Sequence, residues 1–148
     1  MRVFVTEEFL SEVKSISKNN DHSECEIDLI NSIFKQKIDE IKSIGTKRLG
    51  GHPDKSPFLR KRVESESSGK SSGYRLYFWL FIQDQDIFLL FIHPKTGRRS
   101  ATNITTNKQK ELVKTFKEHR DNNLFSEVEL NETKSHLIFS KNKRKALQ

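Results

Sequence analysis

Arg60, Arg62, Arg75, Tyr77, His93 and Lys95 fall in the middle of a 148-residue chain. Their types suit one chemistry. Guanidinium and ammonium groups stabilise charge gathering on phosphoryl oxygens, and an aromatic ring can stack an unpaired base. An imidazole can move a proton near neutral pH. Lys61 and Lys70 interleave with the arginines, and Arg98 and Arg99 follow Lys95, so the basic set extends on both sides.

Whether these groups can meet depends on the strands that carry them. Side chains on a strand alternate between faces. Over residues 74–82, Arg75, Tyr77, Trp79 and Phe81 share one side. Tyr74, Leu76, Phe78, Leu80 and Ile82 share the other, which is continuously apolar and is predicted to face the core. On the preceding strand, Arg60 and Arg62 lie opposite Leu59 and Val63. Pairing in register would bring three guanidinium groups together near Tyr77, on a face that starts wet and open. For a single arginine, solubilising an exposed face is the plainer alternative; a cluster within Phe- and Leu-rich strands favours a ligand.

Composition agrees with an acidic partner. The net charge is +7, and residues 47–120 hold 16 Lys/Arg against 7 Asp/Glu, whereas residues 1–46 hold 6 against 9. The basic character therefore sits on the central section. Only 33% of residues are hydrophobic, but 11 are Phe, enough for an aromatic core in one domain. Cys25 is the single cysteine, which fits a reducing cytoplasm, and its plain reading is a small helix residue. No signal peptide is read at the start, and residues 83–86 would place two carboxylates inside any membrane span, so no membrane is expected.

Other chemistries lack their patterns. His22, His52, His93, His119 and His136 show no metal-ligand spacing. Asp84 and Asp86 read as turn residues, and Lys70-Ser71 lacks the glycine spacing of a phosphate loop. No metal and no cofactor are expected.

The elements follow from periodicity. Residues 2–5 read as a strand, and Thr6 caps a helix bearing Phe9, Val13 and Ile16. Ser23 and Glu26 have capping-box spacing ahead of Ile27, Ile30, Phe34, Ile38, Ile41 and Ile44, predicting a long second helix ended by Gly45. The Gly/Pro/Lys composition of residues 46–57 reads as a loop. Strands are predicted at 58–63, 74–82 and 87–92, then a basic loop over 95–106 and a helix over 107–120. Residues 128–130 and 136–139 could form a second small hairpin, with a basic tail from 141. The architecture is α+β: two N-terminal helices packed on one face of a small, twisted, mainly antiparallel sheet, plus a C-terminal helix. The other face is expected to be open to solvent or a ligand. The main domain spans 1–120 and a C-terminal extension spans 121–148.

Lys70-Ser71-Ser72-Gly73-Tyr74-Arg75-Leu76, an apolar hairpin and then His93-Pro94-Lys95 resemble the RelE/ParE superfamily of bacterial toxins. The HigB-type branch is most similar, because Leu59-Arg60-Lys61-Arg62-Val63 precedes a Gly/Ser/Lys loop. The resemblance covers roughly residues 1–120 and is sharpest over 58–95. It implies a RelE-like fold and a cytoplasmic toxin neutralised by a cognate antitoxin, in a toxin–antitoxin hetero-oligomer. It also implies metal-free cleavage of mRNA in the ribosomal A site, against 16S rRNA, with the RNA 2′-hydroxyl attacking the adjacent phosphate. Arg75 matches the family's phosphate-binding Arg, Arg60 and Arg62 its basic strand positions, Lys95 its strand-closing Lys, and Arg98 or Arg99 its loop cation. The Tyr that RelE-type enzymes carry after this loop has no counterpart between residues 96 and 120; His93 and Tyr77 are substitute candidates. That departure keeps two alternatives open: a ParE-like gyrase inhibitor, or a catalytically silent RNA- or ribosome-binding module.

Overall fold

The computed structural model describes residues 1–18, 22–43, 46–65, 73–95 and 104–140. Its elements run β1 (Arg2–Val5), α1 (Glu7–Ser17), α2 (Cys25–Ile33), α3 (Ile38–Ser43), β2 (Thr46–His52) and β3 (Ser56–Glu64). They continue with β4 (Gly73–Phe81), β5 (Asp86–Pro94), α4 (Thr106–Asp121), β6 (Ser126–Leu130) and β7 (Leu137–Phe139). Among the described residues the strands form one seven-stranded sheet in the order β2-β3-β4-β5-β1-β6-β7. β1 runs parallel to β5, and the other neighbouring pairs are antiparallel. This is a mixed α+β fold, with N-terminal helices on a mostly antiparallel sheet and a C-terminal helix.

α1 forms as its sequence dictates. The Thr6 hydroxyl accepts from the Phe9 amide at 3.1 Å, and Glu7 and Glu8 meet the positive end of the helix dipole. The buried stripe of Phe9, Val13 and Ile16 rests on the sheet, each side chain contributing about 1.5–3 kcal/mol by burial. With Leu29, Ile30 and Ile33 of α2, these side chains close over Leu76, Phe78, Leu80 and Leu89. The apolar side of β4 is thus the core face, as the alternation predicts.

The second helix differs from its expectation. It stops at Ile33 and the chain resumes as α3 at Ile38, so the predicted continuous helix is two short ones. Both pieces keep an apolar side, with Ile30, Ile33 and Ile41 buried, and periodicity alone cannot register a break that preserves the buried side. The Lys37 amide, at the start of α3, donates to Glu40 Oε1 at 3.0 Å, a fresh cap the pattern did not signal. The capping box at Ser23 is absent as well: Glu24 occupies the N-cap with no side-chain cap bond. Glu26 is committed elsewhere, accepting from Lys14 Nζ, from the Leu137 amide and from His136 Nδ1. Ile44 and Gly45 lie outside the described residues.

Residues 46–57 are not a loop. They supply edge strand β2, a turn in which His52 Nδ1 accepts from the Asp54 and Lys55 amides, and the start of β3. The β2–β3 register shifts between Arg48 and Gly50, and Gly51 sits at φ +72°, where a Cβ would lie 2.3 Å from the Ser56 carbonyl oxygen. Bulges, glycines and lysines are tolerated on an edge strand, and that composition imitates a loop.

The second sheet face is not open along its whole length. α4, capped by the Thr105 hydroxyl, lays Leu112 and Phe116 over Phe4, Phe58, Trp79, Phe88 and Phe125. The hairpin expected near the C-terminus forms as β6 and β7. It enters the main sheet through β1, and Leu137 packs into the helix-covered core. The basic tail from residue 141 lies outside the described residues.

Candidate anion-binding site

The β3–β4 register pairs Arg60 with Tyr77 and Arg62 with Arg75, and the β4–β5 register pairs Tyr77 with Phe91 and Arg75 with His93. Directly paired residues share a sheet face. The three arginines therefore stand side by side on the face that carries α4, beyond the end that α4 covers. The β4–β5 ladder shifts between Tyr77 and Phe78, leaving Leu90 unopposed, so a bulge lies where the aromatic half of the face gives way to the cationic half.

The charges feel one another. The Arg75 guanidinium is held below its ordinary value by burial and then by the positive charges of Arg60 and Arg62. Lys95 is lowered by burial and by Arg75 and Arg62. Arg75 Nε is buried with no hydrogen-bond partner among the described residues, and Arg62, Arg75 and Lys95 make no ion pair with a described carboxylate. Like charges directly opposite one another on a ladder cost stability. An anion set between them would remove that cost and gain charge-assisted hydrogen bonds from preorganised guanidinium groups.

Tyr77 and His93 lie beneath this floor, not on it. Tyr77 is 0% exposed and His93 4% exposed, so Tyr77 does not start a wet surface as the alternation suggested. The rings of Phe91 and His93 pack against Tyr77 at 6.0 and 5.7 Å, and its hydroxyl is bonded to the Ile104 backbone. The Tyr77 hydroxyl also lies 3.3 Å from His93 Nε2, and His93 Nδ1 lies 3.1 Å from the Pro94 carbonyl oxygen. A carbonyl only accepts, so Nδ1 carries the proton and Nε2 accepts from Tyr77. Burial, then the charge of Arg75, pushes His93 below its usual range, while burial pushes Tyr77 up. At neutral pH the two form an uncharged pair.

The remaining predicted residues divide. Lys61 faces the other way, with Leu59 and Val63, and is 5% exposed, because alternation that aligns Arg60 with Arg62 must turn the residue between them inward. Burial lowers its pKa, against the opposing effect of Glu64. Lys61 is therefore not part of the cationic floor. Lys70, Arg98 and Arg99 lie outside the described residues.

One cation on this face escaped the sequence reading. Lys47 of β2 pairs with Arg60, so it joins the same row, exposed at the sheet edge. The Lys47-Arg48 dipeptide in a glycine-rich segment is the kind of charge that protects an edge strand, which was the signal available.

Elsewhere, Cys25 is buried beside Tyr74, and burial pushes its thiol up to about 12, which leaves it unreactive near neutral pH. A cleft of ≈ 340 Å³ between α1, β5 and α4, lined in part by Phe9, Leu90, Leu112 and Phe116, holds none of the predicted site residues. The described residues contain no His/Cys/Asp/Glu cluster arranged for a metal, and no helix among them is long and apolar enough to cross a membrane. No family model, curated protein or solved structure matches the chain.

Proposed function

We propose that this chain is a RelE/HigB-type toxin that binds mRNA on the Arg60–Arg62–Arg75 floor and cleaves it without a metal, in the ribosome. One observation carries the reading: three arginines from two strands stand together on one sheet face, with a buried guanidinium nitrogen lacking a partner among the described residues. The RNA 2′-oxygen attacks the neighbouring phosphorus, the bond to the 5′-oxygen breaks, and a proton passes from the nucleophile while another reaches the leaving oxygen. Arg62, Arg75 and Lys95 hold the phosphoryl oxygens as negative charge builds on them. The described floor is rich in charge and offers no exposed proton carrier, since His93 Nε2 is covered by Tyr77. Ribosome dependence then has a physical sense: the ribosome aligns the 2′-hydroxyl and the protein supplies charge. A cytoplasmic setting and an antitoxin that covers the cationic floor complete the reading.

Inducing the chain in bacteria should arrest growth and leave transcripts cut in codon register, and Arg75→Ala should abolish both. Full arrest with intact mRNA contradicts the proposal.

A second reading is favoured by the burial of Tyr77 and His93: a catalytically silent RNA-binding module. It predicts salt-sensitive RNA binding, unaffected growth and no cleavage.

A further inference from the structure

β2 adds something that the arginine trio does not need. A compact phosphate ligand would be satisfied between Arg62 and Arg75, which face each other across adjacent strands. The positive row nevertheless continues outward. Lys47 stands directly opposite Arg60, on the outermost strand, exposed, and makes no side-chain hydrogen bond or ion pair with a described residue. Its neighbour Arg48 points to the opposite face and spends its guanidinium on the Gly51 carbonyl at 3.0 Å. Of two adjacent cations on one edge strand, one is tied to the strand's own backbone and the other has no partner among the described residues.

From Lys95 at the end of β5, the cations step across Arg75 on β4, then Arg62 and Arg60 on β3, to Lys47 on β2. Across the strands alone that is three spacings, about 14 Å, which is long enough for more than one phosphate of an extended strand. The row runs obliquely over the sheet, because Lys95 is level with Gly73 and Lys47 with Tyr77, four residues further along β4.

We infer that Lys47 is the outer phosphate contact of a track that carries a single-stranded RNA across the sheet, from β5 to the β2 edge. The inference deepens the RNA-binding reading above and rests on it. Each phosphate neutralised along the track releases condensed counterions, so each contact has a signature in the salt dependence of binding.

The test titrates the whole chain with a short oligouridylate over a range of salt, and with uridine monophosphate beside it. Lys47→Ala should weaken oligouridylate binding several-fold and flatten the log–log salt slope by about 0.7. Uridine monophosphate binding should be unchanged, because one phosphate is held by Arg62 and Arg75. Arg48→Ala and Lys35→Ala remove the same formal charge away from the track and should leave the slope as in wild type. If wild type fails to bind oligouridylate, the RNA reading falls and this inference with it. If wild type binds and Arg75→Ala weakens it, but Lys47→Ala keeps the full slope, the RNA reading survives and the track to β2 is wrong. An equal flattening by Lys35→Ala would also overturn the track, since the effect would then follow net charge alone.

Discussion

The face of the sheet that carries α4 has two halves built on the same three strands. In one, Phe58, Trp79 and Phe88 pack with Phe116, with ring centroids 5.2 Å apart for Phe58–Trp79 and 4.7 Å for Trp79–Phe116. There Trp79 Nε1 donates to the Ser56 carbonyl at 2.8 Å, and the Arg120 guanidinium rests 4.6 Å from the Phe81 ring, with its Nε, like that of Arg75, buried without a hydrogen-bond partner among the described residues. At the sheet's end nearby, Arg2 holds Asp86 with two bonds of 2.8 Å. Two residues further along β3 and β4, the pairs become Arg60–Tyr77 and Arg62–Arg75, and Arg62 and Arg75 make no ion pair with a described carboxylate. The strands are continuous; only the side chains change. The closed half is where stability is made, and the other half gives some of it up to hold positive charge in place.

This contrast is breakable from either side, and the closed half should yield the largest effect. Phe116→Ala deletes a ring that touches Trp79, Phe88 and Phe125, and should cost about 3–5 kcal/mol in urea unfolding. A loss below about 1 kcal/mol would mean that α4 merely lies on the sheet.

Glu26 sharpens the contrast, because it is a buried charge that does have partners. Burial alone would raise its pKa, but Lys14, the Leu137 amide and His136 outweigh that and hold it below the usual carboxylate range. Lys14 and His136 both reach solvent, but the buried Leu137 amide would lose its acceptor, so Glu26→Leu should cost about 1–3 kcal/mol. Since the folded pKa is the depressed one, the stability that Glu26 contributes is present above the unfolded value, about 4.3. It is lost as pH falls through the folded value. Unfolding midpoints followed below pH 5 should drop in wild type more steeply than in Glu26→Leu.

A smaller effect is expected at the boundary between the halves. His93 is neutral when folded and its pKa is depressed, so the unfolded chain takes up its proton first. Stability should therefore decline as pH falls below about 6.5, and His93→Gln should remove that part of the decline. An imidazole resonance of His93 titrating at or above the usual value would refute the buried neutral pair.

The smallest stability change belongs to the cationic half. Arg62→Ala should leave the unfolding free energy within about 0.5 kcal/mol of wild type, or raise it, because it relieves repulsion against Arg75. A marked loss would show that the arginine serves the fold.

Much of this was legible beforehand, for identifiable reasons. The β4–β5 hairpin and the core side of β4 follow from strict alternation among large apolar residues, a signal that tertiary context rarely overrides. The convergence of Arg60, Arg62 and Arg75 follows from the same alternation once the strands pair, and the pairing has that register. Three features were not readable. The break between α2 and α3 preserves the apolar side, so no periodicity marks it. β2 is an edge strand whose bulge and glycines have the composition of a turn, and Lys47 was hidden with it. The cover over Tyr77 comes from Phe91, His93 and the Ile104 backbone, contacts between segments that no local pattern encodes.

On the proposed function, the cationic half of this face holds phosphate. The most direct test compares wild type with the Arg62→Ala/Arg75→Ala double variant in oligouridylate binding across a salt series, after unfolding curves confirm that both are folded. Loss of the phosphate that Arg62 and Arg75 hold together should flatten the slope by about 0.7, with stability unchanged or improved. A folded double variant that binds RNA with the wild-type affinity and slope would contradict the account.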